Sequence, residues 1–167
     1  MTSAIAHGMV FIHSAPRALM PHLEWSIARV LDTTVRLQWA NQPITPNSAR
    51  TEFLWSGHET AGVEMAAALA IWQKVRFEVN QQASEAQEAS RWVYTPALGM
   101  FYSPVDSAGN ILVSEFQIKA ALDAHGANLL ELQRALRASV GQAWDDELEG
   151  YRKAELEKPQ FELRRIS

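Results

Sequence analysis

The stretch "MVFIHSAPRALMPHLEW", residues 9–25, carries the pattern on which the predicted fold depends. Its first five residues are a mainly apolar run that ends at a turn, which is typical of a buried strand. A helix is predicted to follow and to end near Leu31. Proline is tolerated only among the unpaired N–H groups of a first helical turn, so Pro21 places the helix start between Arg17 and Pro21. The stretch therefore predicts a strand that leads into a helix.

Three segments with alternating apolar residues and one helical segment complete the N-terminal half. Alternation over five or more residues indicates half-buried strands. The alternating residues are Val35, Leu37 and Trp39, then Thr51, Phe53 and Trp55, then Val75, Phe77 and Val79. A helix with apolar residues on two sides is predicted from about Glu59 to Gln73. The order strand, helix, strand, strand, helix, strand predicts a ferredoxin-like split βαβ arrangement.

A polar segment without hydrophobic periodicity, "QQASEAQEAS" at residues 81–90, is predicted to be an exposed connecting loop. It would connect a split βαβ lobe over residues 1–80 to a hairpin-plus-helices lobe over residues 91–167. The hairpin is expected to turn at "PVDSAGN", residues 104–110. We therefore predict an α+β protein in which the ferredoxin-like N-terminal lobe packs on the C-terminal lobe as one folding unit.

Local signals predict the helices of the second lobe. "SEFQ", which begins at Ser114, matches a capping box, and Gly126 is expected to end that helix. A stripe of apolar residues at helical spacing from Leu129 to Trp144 predicts a long helix that continues to about Glu157, with a break near Gly141 left open. The last residues, "PQFELRRIS", are interpreted as a tail or a short edge strand.

Composition excludes several classes of protein. The chain has 167 residues, 47% of them hydrophobic and 20% charged, so it can form an ordinary packed core. Its net charge of −4 argues against nucleic acid as a partner. It lacks cysteine, any apolar run of membrane-spanning length and a recognisable secretory signal, so we expect a cytoplasmic protein that does not insert in a membrane.

The junction between the first strand and the first helix is the first candidate site. A helix N-terminus favours an anion, and Ser14, Arg17 and His22 add a hydroxyl, a guanidinium and an imidazole. His13 is the candidate catalytic acid or base. The alternative is that His13 and Ser14 only shape a turn while Arg17 is a solvated surface charge. No cofactor and no metal site is predicted, because the histidines lack the spacing of known ligand sets.

Three other features of the sequence have a functional and a structural interpretation. Trp25 points away from the apolar face of its helix, which makes it a candidate interaction surface. The acidic run "WDDELEGYR", residues 144–152, is predicted to be a solvated face, with Glu149 supported by a basic residue one turn later. The helices around Gly126 are similar to a helix-turn-helix, but their leucines favour a core role over recognition of a nucleic acid.

The strings "VFIHSAPRALMPHLEW", "QP" with "ARTEFLWSG", and "GQAWDDELE" resemble an uncharacterised actinobacterial family, the domain-of-unknown-function family numbered 3145. The resemblance spans nearly the whole chain and implies no established activity or site. Members of that family often lie in genes close to those of type II fatty-acid synthesis, which implies a link to acyl-chain metabolism.

The functional expectation is a non-enzymatic binding or regulatory module that is linked to acyl-chain metabolism. Its partner would be an unidentified protein or a small anionic ligand, and homo-oligomer formation is left open. The alternative is a small enzyme that binds an anionic substrate at the first strand–helix junction; a nucleic-acid-binding protein is the third hypothesis. A polar pocket around His13 would favour the enzyme, and a shallow apolar patch around Trp25 would favour the module.

Overall fold

The computed structural model describes residues 5–156, and its central element is a six-stranded antiparallel sheet. The strands are β1 (Ile5–Pro16), β2 (Ala40–Gln42), β3 (Ser48–His58), β4 (Arg76–Gln81), β5 (Ser90–Thr95) and β6 (Gly99–Pro104). The α-helices in this part of the chain are α1 (Met20–Leu31), α2 (Ala61–Ala70), α3 (Glu115–His125), α4 (Leu129–Ser139) and α5 (Gln142–Leu156). The predicted α+β class is confirmed.

The strands follow the order β2-β3-β1-β4-β5-β6 across the sheet, and each neighbouring pair is antiparallel. β1 is an inner strand, where Val10 pairs with Phe53 of β3 on one side and with Val79 of β4 on the other. β4 also pairs with β5, so the chain on both sides of the polar segment belongs to one sheet. The division into two lobes at that segment stays a prediction.

The hydrophobic core lies between one face of the sheet and the helices α1 and α2. Successive side chains of a strand point to opposite faces, so the strands contribute alternate residues to this core. Its fully buried members include Val10, Ile12, Leu23, Ile27, Met65, Leu69, Phe77 and Val79. The other face carries α5, whose Arg152 contacts Glu78 between the core residues Phe77 and Val79. Helices therefore pack on both faces of the sheet.

The first strand and helix follow the prediction with one difference in length. α1 begins at Met20, inside the predicted interval, after a 3-10 turn over Arg17–Leu19. It ends at Leu31, and Asp32 then adopts the left-handed conformation with φ of 48°. β1, in contrast, continues to Pro16 with a bulge after Ile12, so the strand includes residues that the sequence placed in a turn.

The predicted strand around Val35, Leu37 and Trp39 is wrong: these residues have no regular secondary structure, and β2 covers only Ala40–Gln42. The side chains do pack against the core, which accounts for their alternation. Their hydrogen bonds differ from those of a strand. The Leu37 N–H and the Trp39 Nε1–H both donate to Oε1 of Glu24, and each donor–acceptor distance is 3.0 Å.

The C-terminal hairpin was predicted at the wrong turn. β5 and β6 are joined by Pro96–Leu98, which lie inside the stretch that the sequence placed in a single strand. Residues 104–110 do turn, with the Asp106 carboxylate accepting the backbone N–H groups of Ala108 and Asn110. That turn leads only to a single bridge between Val105 and Ile111.

The predicted start and end of α3 and the predicted helix start at Leu129 are confirmed. Ser114 and Gln117 form the capping box of α3, and Gly126 caps its end. Gly141, with φ of 71°, separates α4 from α5, so the break that was left open is present. The predicted helix end at Glu157 and the tail at 159–167 lie outside the described residues. Within residues 5–156, none of the helices has the length and apolar character needed to cross a bilayer.

Candidate functional site

The residues of the predicted junction site do not come together. His13 and Ser14 lie within β1 and are 2% and 1% exposed. Arg17 is exposed, and its Nη2 donates to Oδ1 of Asn41 at a distance of 3.1 Å. His22 is also exposed, and its ring lies on Trp72 with 5.2 Å between centroids. These four residues therefore have separate surroundings, and their role in binding an anion stays a prediction.

His13 faces the side of the sheet that α5 covers and contacts Glu78. Its Nε2 lies 2.9 Å from Oε1 of Glu78, and its ring stacks in parallel with Phe11. Because the core residue Ile12 precedes it, alternation along β1 turns His13 away from α1 and α2. His13 and His22 consequently lie on opposite sides of the sheet.

Glu78 is the centre of a partly buried charge cluster, which we define as Glu78, Arg91, Asp145 and Arg152. Nη2 of Arg91 on β5 donates to Oε2 of Glu78, at a distance of 3.1 Å, and to Oδ1 of Asp145, at a distance of 3.0 Å. Arg152 on α5 also contacts both carboxylates. Its Nε donates to Oε1 of Glu78 and its Nη2 donates to Oδ1 of Asp145, and both distances are 3.0 Å. Two carboxylates and two guanidiniums thus balance in charge between the sheet and α5.

The surroundings of Glu78 determine its protonation. Burial raises the pKa of this carboxyl, because it removes the charged form from water. The hydrogen bond and charge of His13, followed by the charges of Arg91 and Arg152, act in the opposite direction and prevail. The pKa falls from 4.5 to about 2, so Glu78 is ionised at neutral pH and fixes α5 on the sheet.

The acidic run of α5 is only partly a solvated face. Asp146 and Glu149 are exposed as predicted, and Glu149 pairs with Lys153 one turn later. Asp145 instead belongs to the charge cluster, so its assignment to the solvent side was wrong. Glu147 also faces the sheet, where it accepts hydrogen bonds from Arg76 and Thr95. No group of three or more acidic or histidine side chains in residues 5–156 could hold a metal ion.

A shallow cleft of about 480 Å³ lies between α1 and α2, on the surface of the molecule. Its lining is mainly apolar and consists of Trp25, Ser26, Arg29, Val30, Glu64, Ala67, Ala68, Ile71 and Trp72. Trp25 and Ile71 are 58% and 73% exposed, although both are large apolar side chains. This is the apolar patch around Trp25 that the sequence analysis associated with a binding module.

Trp72 forms part of the cleft because α1 holds its ring. Its Nε1–H donates to Oγ of Ser26 over 3.2 Å, and His22 packs against the same ring. The two tryptophans consequently line one cleft, Trp25 from α1 and Trp72 from just beyond α2.

The two charged residues of the cleft differ in their partners. The Glu64 carboxylate accepts the hydroxyl of Thr60 over 2.5 Å and lies 3.7 Å from Nε2 of His58. The Arg29 guanidinium lies 4.8 Å from the centre of the Trp25 ring, a cation–π contact. The cleft therefore carries one positive and one negative side chain, and of the two Arg29 forms no ion pair with any residue between 5 and 156.

A second cleft, of about 300 Å³, lies between the start of α2 and the outer strands β5 and β6. Trp92 and Tyr102 form its aromatic side, with 5.3 Å between their ring centroids. Ser90, Gln81 and Gln87 line it with polar groups, which makes it more polar than the first cleft. His13 lines neither of these two clefts.

A family of proteins of unknown function, DUF3145, matches residues 9–165 of this chain. The chain belongs to the DUF3145 family. The resemblance to the family numbered 3145 is thereby confirmed. No curated protein matches the chain significantly, and no solved structure does so either.

In this DUF3145 member, Trp25 was predicted as a surface residue, whereas Arg29 and the small residues of α2 were not considered as site residues. A signal for them does exist in the sequence. Ala67 and Ala68 belong to an alanine-rich run, and small side chains on a helix leave space beside larger neighbours. Arg29 follows Trp25 by four positions, which is the spacing that brings two side chains together on a helix.

Proposed function

We propose that this DUF3145 protein is a non-enzymatic binding module that takes the apolar chain of an anionic amphiphile, such as a fatty acid, in the cleft between α1 and α2. The observation that carries the proposal is the combination of an apolar lining with the guanidinium of Arg29, which has no ion pair in the described part of the chain. Small-molecule sites are typically concave, mostly apolar and equipped with a few polar groups that orient the ligand.

The size and the charge of the cleft both support this class of ligand. Its volume of about 480 Å³ lies within the range of roughly 300–1,000 Å³ that is usual for ligand sites. The hydrocarbon chain would cover exposed surface of Trp25 and Ile71, and burying apolar surface is worth roughly 25 cal/mol per Å². Arg29 would pair with the carboxylate or phosphate of the ligand, while the Glu64 carboxylate accepts the hydroxyl of Thr60.

The fold and the cellular setting belong to the same proposal. We propose that β1–β4 with α1 and α2 form a ferredoxin-like split βαβ unit, which the strand order β4-β1-β3-β2 supports. A cytoplasmic location and a link to acyl-chain metabolism are proposed with it. An enzyme at the first strand–helix junction has less support, because His13 is buried against Glu78.

Isothermal titration calorimetry with dodecanoate, below its micelle concentration, tests the proposal. We expect one saturable site, and no such site for dodecyltrimethylammonium, which has the same chain and the opposite charge. Arg29→Ala should weaken dodecanoate binding about tenfold, which corresponds to about 1.4 kcal/mol. Arg36→Ala removes the same charge from an exposed position outside the cleft and should change the affinity little.

A second variant tests the cleft itself. Ala67 is exposed on α2 and lines the cleft, so Ala67→Phe should fill it and abolish binding without lowering the melting temperature. The proposal fails if wild type does not bind dodecanoate. It also fails if Ala67→Phe binds as well as wild type, or if Arg29→Ala and Arg36→Ala weaken binding equally.

A further inference from the structure

The helices α3 and α4 are the least covered part of the described chain. They are joined by residues 126–128, pack on each other, and α4 also contacts α5. Neither helix has a single buried residue. Helices of this length are marginal in water, because most helical stability in proteins comes from packing an apolar face. These two helices therefore leave an apolar surface without a covering element in residues 5–156.

The uncovered surface is large. Its exposed apolar residues are Leu112, Phe116, Ile118, Leu122, Leu129, Leu130, Leu136 and Val140, and their exposure ranges from 37% to 79%. Together they expose on the order of 800 Å², which is the area that each partner contributes to a standard-sized interface. This total is summed over residues on more than one side of the two helices, and Phe116 and Leu130 are among the most exposed of them, at 79% and 67%.

The outward side of each helix carries one large apolar residue and one charge with the same spacing. On α3 these are Phe116 and Asp123, and on α4 they are Leu130 and Arg137. Seven residues are close to two helical turns, so the two members of each pair share a side of the helix. The two helices thus offer matching apolar positions and charges of opposite sign.

The two charges have no ion-pair partner among residues 5–156, unlike their neighbours. Glu115 pairs with Lys119 on α3, and Glu131 pairs with Arg134 on α4. Asp123 and Arg137, in contrast, form no ion pair with any residue of the range 5–156. An acceptor on one helix and a donor on the other are therefore both free for contacts outside this part of the chain.

We propose that two copies of this protein associate through these helices, with α3 of one copy packed against α4 of the other. A two-fold axis brings the same patch of both copies together, so every contact forms twice. Phe116 then lies against Leu130 of the second copy, and Asp123 pairs with Arg137. A second copy is the occupant that the charges favour, because the surface carries both halves of the complementary pattern.

Sedimentation velocity over a range of concentrations tests the dimer with the full chain. Wild type should sediment as a dimer at micromolar concentration, and Leu130→Glu should sediment as a monomer. Asp123→Lys and Arg137→Glu should each raise the dimer dissociation constant about tenfold or more, because each places like charges together twice. The double variant should restore the wild-type constant. Lys74→Glu, an exposed reversal outside the surface, should leave it unchanged.

Two controls exclude the possibility that a single variant simply fails to fold. Circular dichroism must show the same helix content in wild type and in every variant. The double variant must also regain the wild-type dissociation constant, which a misfolded chain would not do. A monomeric wild type at about 100 µM would overturn the proposal, because an interface of this size is usually stable there. A double variant that is no tighter than either single one would overturn it too. So would a monomeric full chain that dimerises only when residues 157–167 are removed, because that segment would then be the occupant.

Discussion

Arg152 on α5 donates from two of its nitrogens, Nε and Nη2, to the same carboxylate oxygen of Glu78 on β4, 74 positions earlier in the chain. Because Glu78 stands between two core residues, this contact fixes the last described helix to the centre of the sheet. His13, in contact with the same carboxylate, is thereby a member of a structural assembly. His13 thus contributes to stability, whereas the apolar cleft between α1 and α2 lies on the surface of the molecule.

Removing the charge of Glu78 should destabilise the protein. Glu78→Gln keeps the shape of the side chain but removes the more buried of the two carboxylates that Arg91 and Arg152 share. We expect the free energy of unfolding, measured in urea at neutral pH, to fall by about 3 kcal/mol, since removing one partner of a buried ion pair leaves a buried charge that is not fully compensated. Glu52→Gln, the same change at an exposed position of β3, should cost less than about 0.5 kcal/mol. Equal losses in the two variants would contradict this account of Glu78.

The stabilisation by Glu78 should depend on pH in a defined window. The folded-state pKa of about 2 lies below the ordinary value of 4.5, so between these values the unfolded chain binds more protons. Stability from this group is therefore present above pH 4.5 and lost as the pH falls toward 2. The difference between wild type and Glu78→Gln, on the order of 3 kcal/mol at neutral pH, should disappear near pH 2. A difference that stays constant over this interval would show that the carboxylate charge is not its source.

Leu69 tests the packing of α2 on the sheet. It is fully buried in the core, so Leu69→Ala should lower the free energy of unfolding by about 2–5 kcal/mol, the usual range for a buried leucine. Leu54, which is 79% exposed on β3, supplies the matched control. Leu54→Ala should cost less than about 0.5 kcal/mol in the same denaturation experiment. Similar losses of unfolding free energy at the two leucines would mean that α2 does not bury Leu69 against the sheet.

The parts of the fold that were predicted correctly depend on local chemistry. The side chain of Ser114 satisfies an N–H group three residues later, and Pro21 restricts a single helical turn, so each acts within a short segment. The strand predicted around Leu37 failed because alternation reports burial of side chains and not backbone pairing. The backbone N–H of Leu37 donates a hydrogen bond to Glu24 of α1, and no local pattern reveals a partner thirteen residues away.

The site could be predicted only in part, and for a geometric reason. Trp25 stands out because it opposes the apolar face of its own helix. Asp145 was placed on the solvent side by extending one helical pattern across Gly141, where positive φ gives α4 and α5 separate axes. The contact between His13 and Glu78 spans 65 positions and depends on the order of strands in the sheet. Such pairs follow from topology, which a single sequence does not show.

The most direct test of the proposed cleft is an NMR measurement of where a bound fatty acid lies. The chain has six tryptophans, and each gives one indole N–H signal in a ¹⁵N-labelled sample. A fatty acid that carries a nitroxide on its chain should broaden the signals of Trp25 and Trp72, which line the cleft. In Ala67→Phe both signals should stay sharp. Strongest broadening at Trp92, in the second cleft, or at Trp144, beside Phe101, would contradict the account, as would equal broadening of all six.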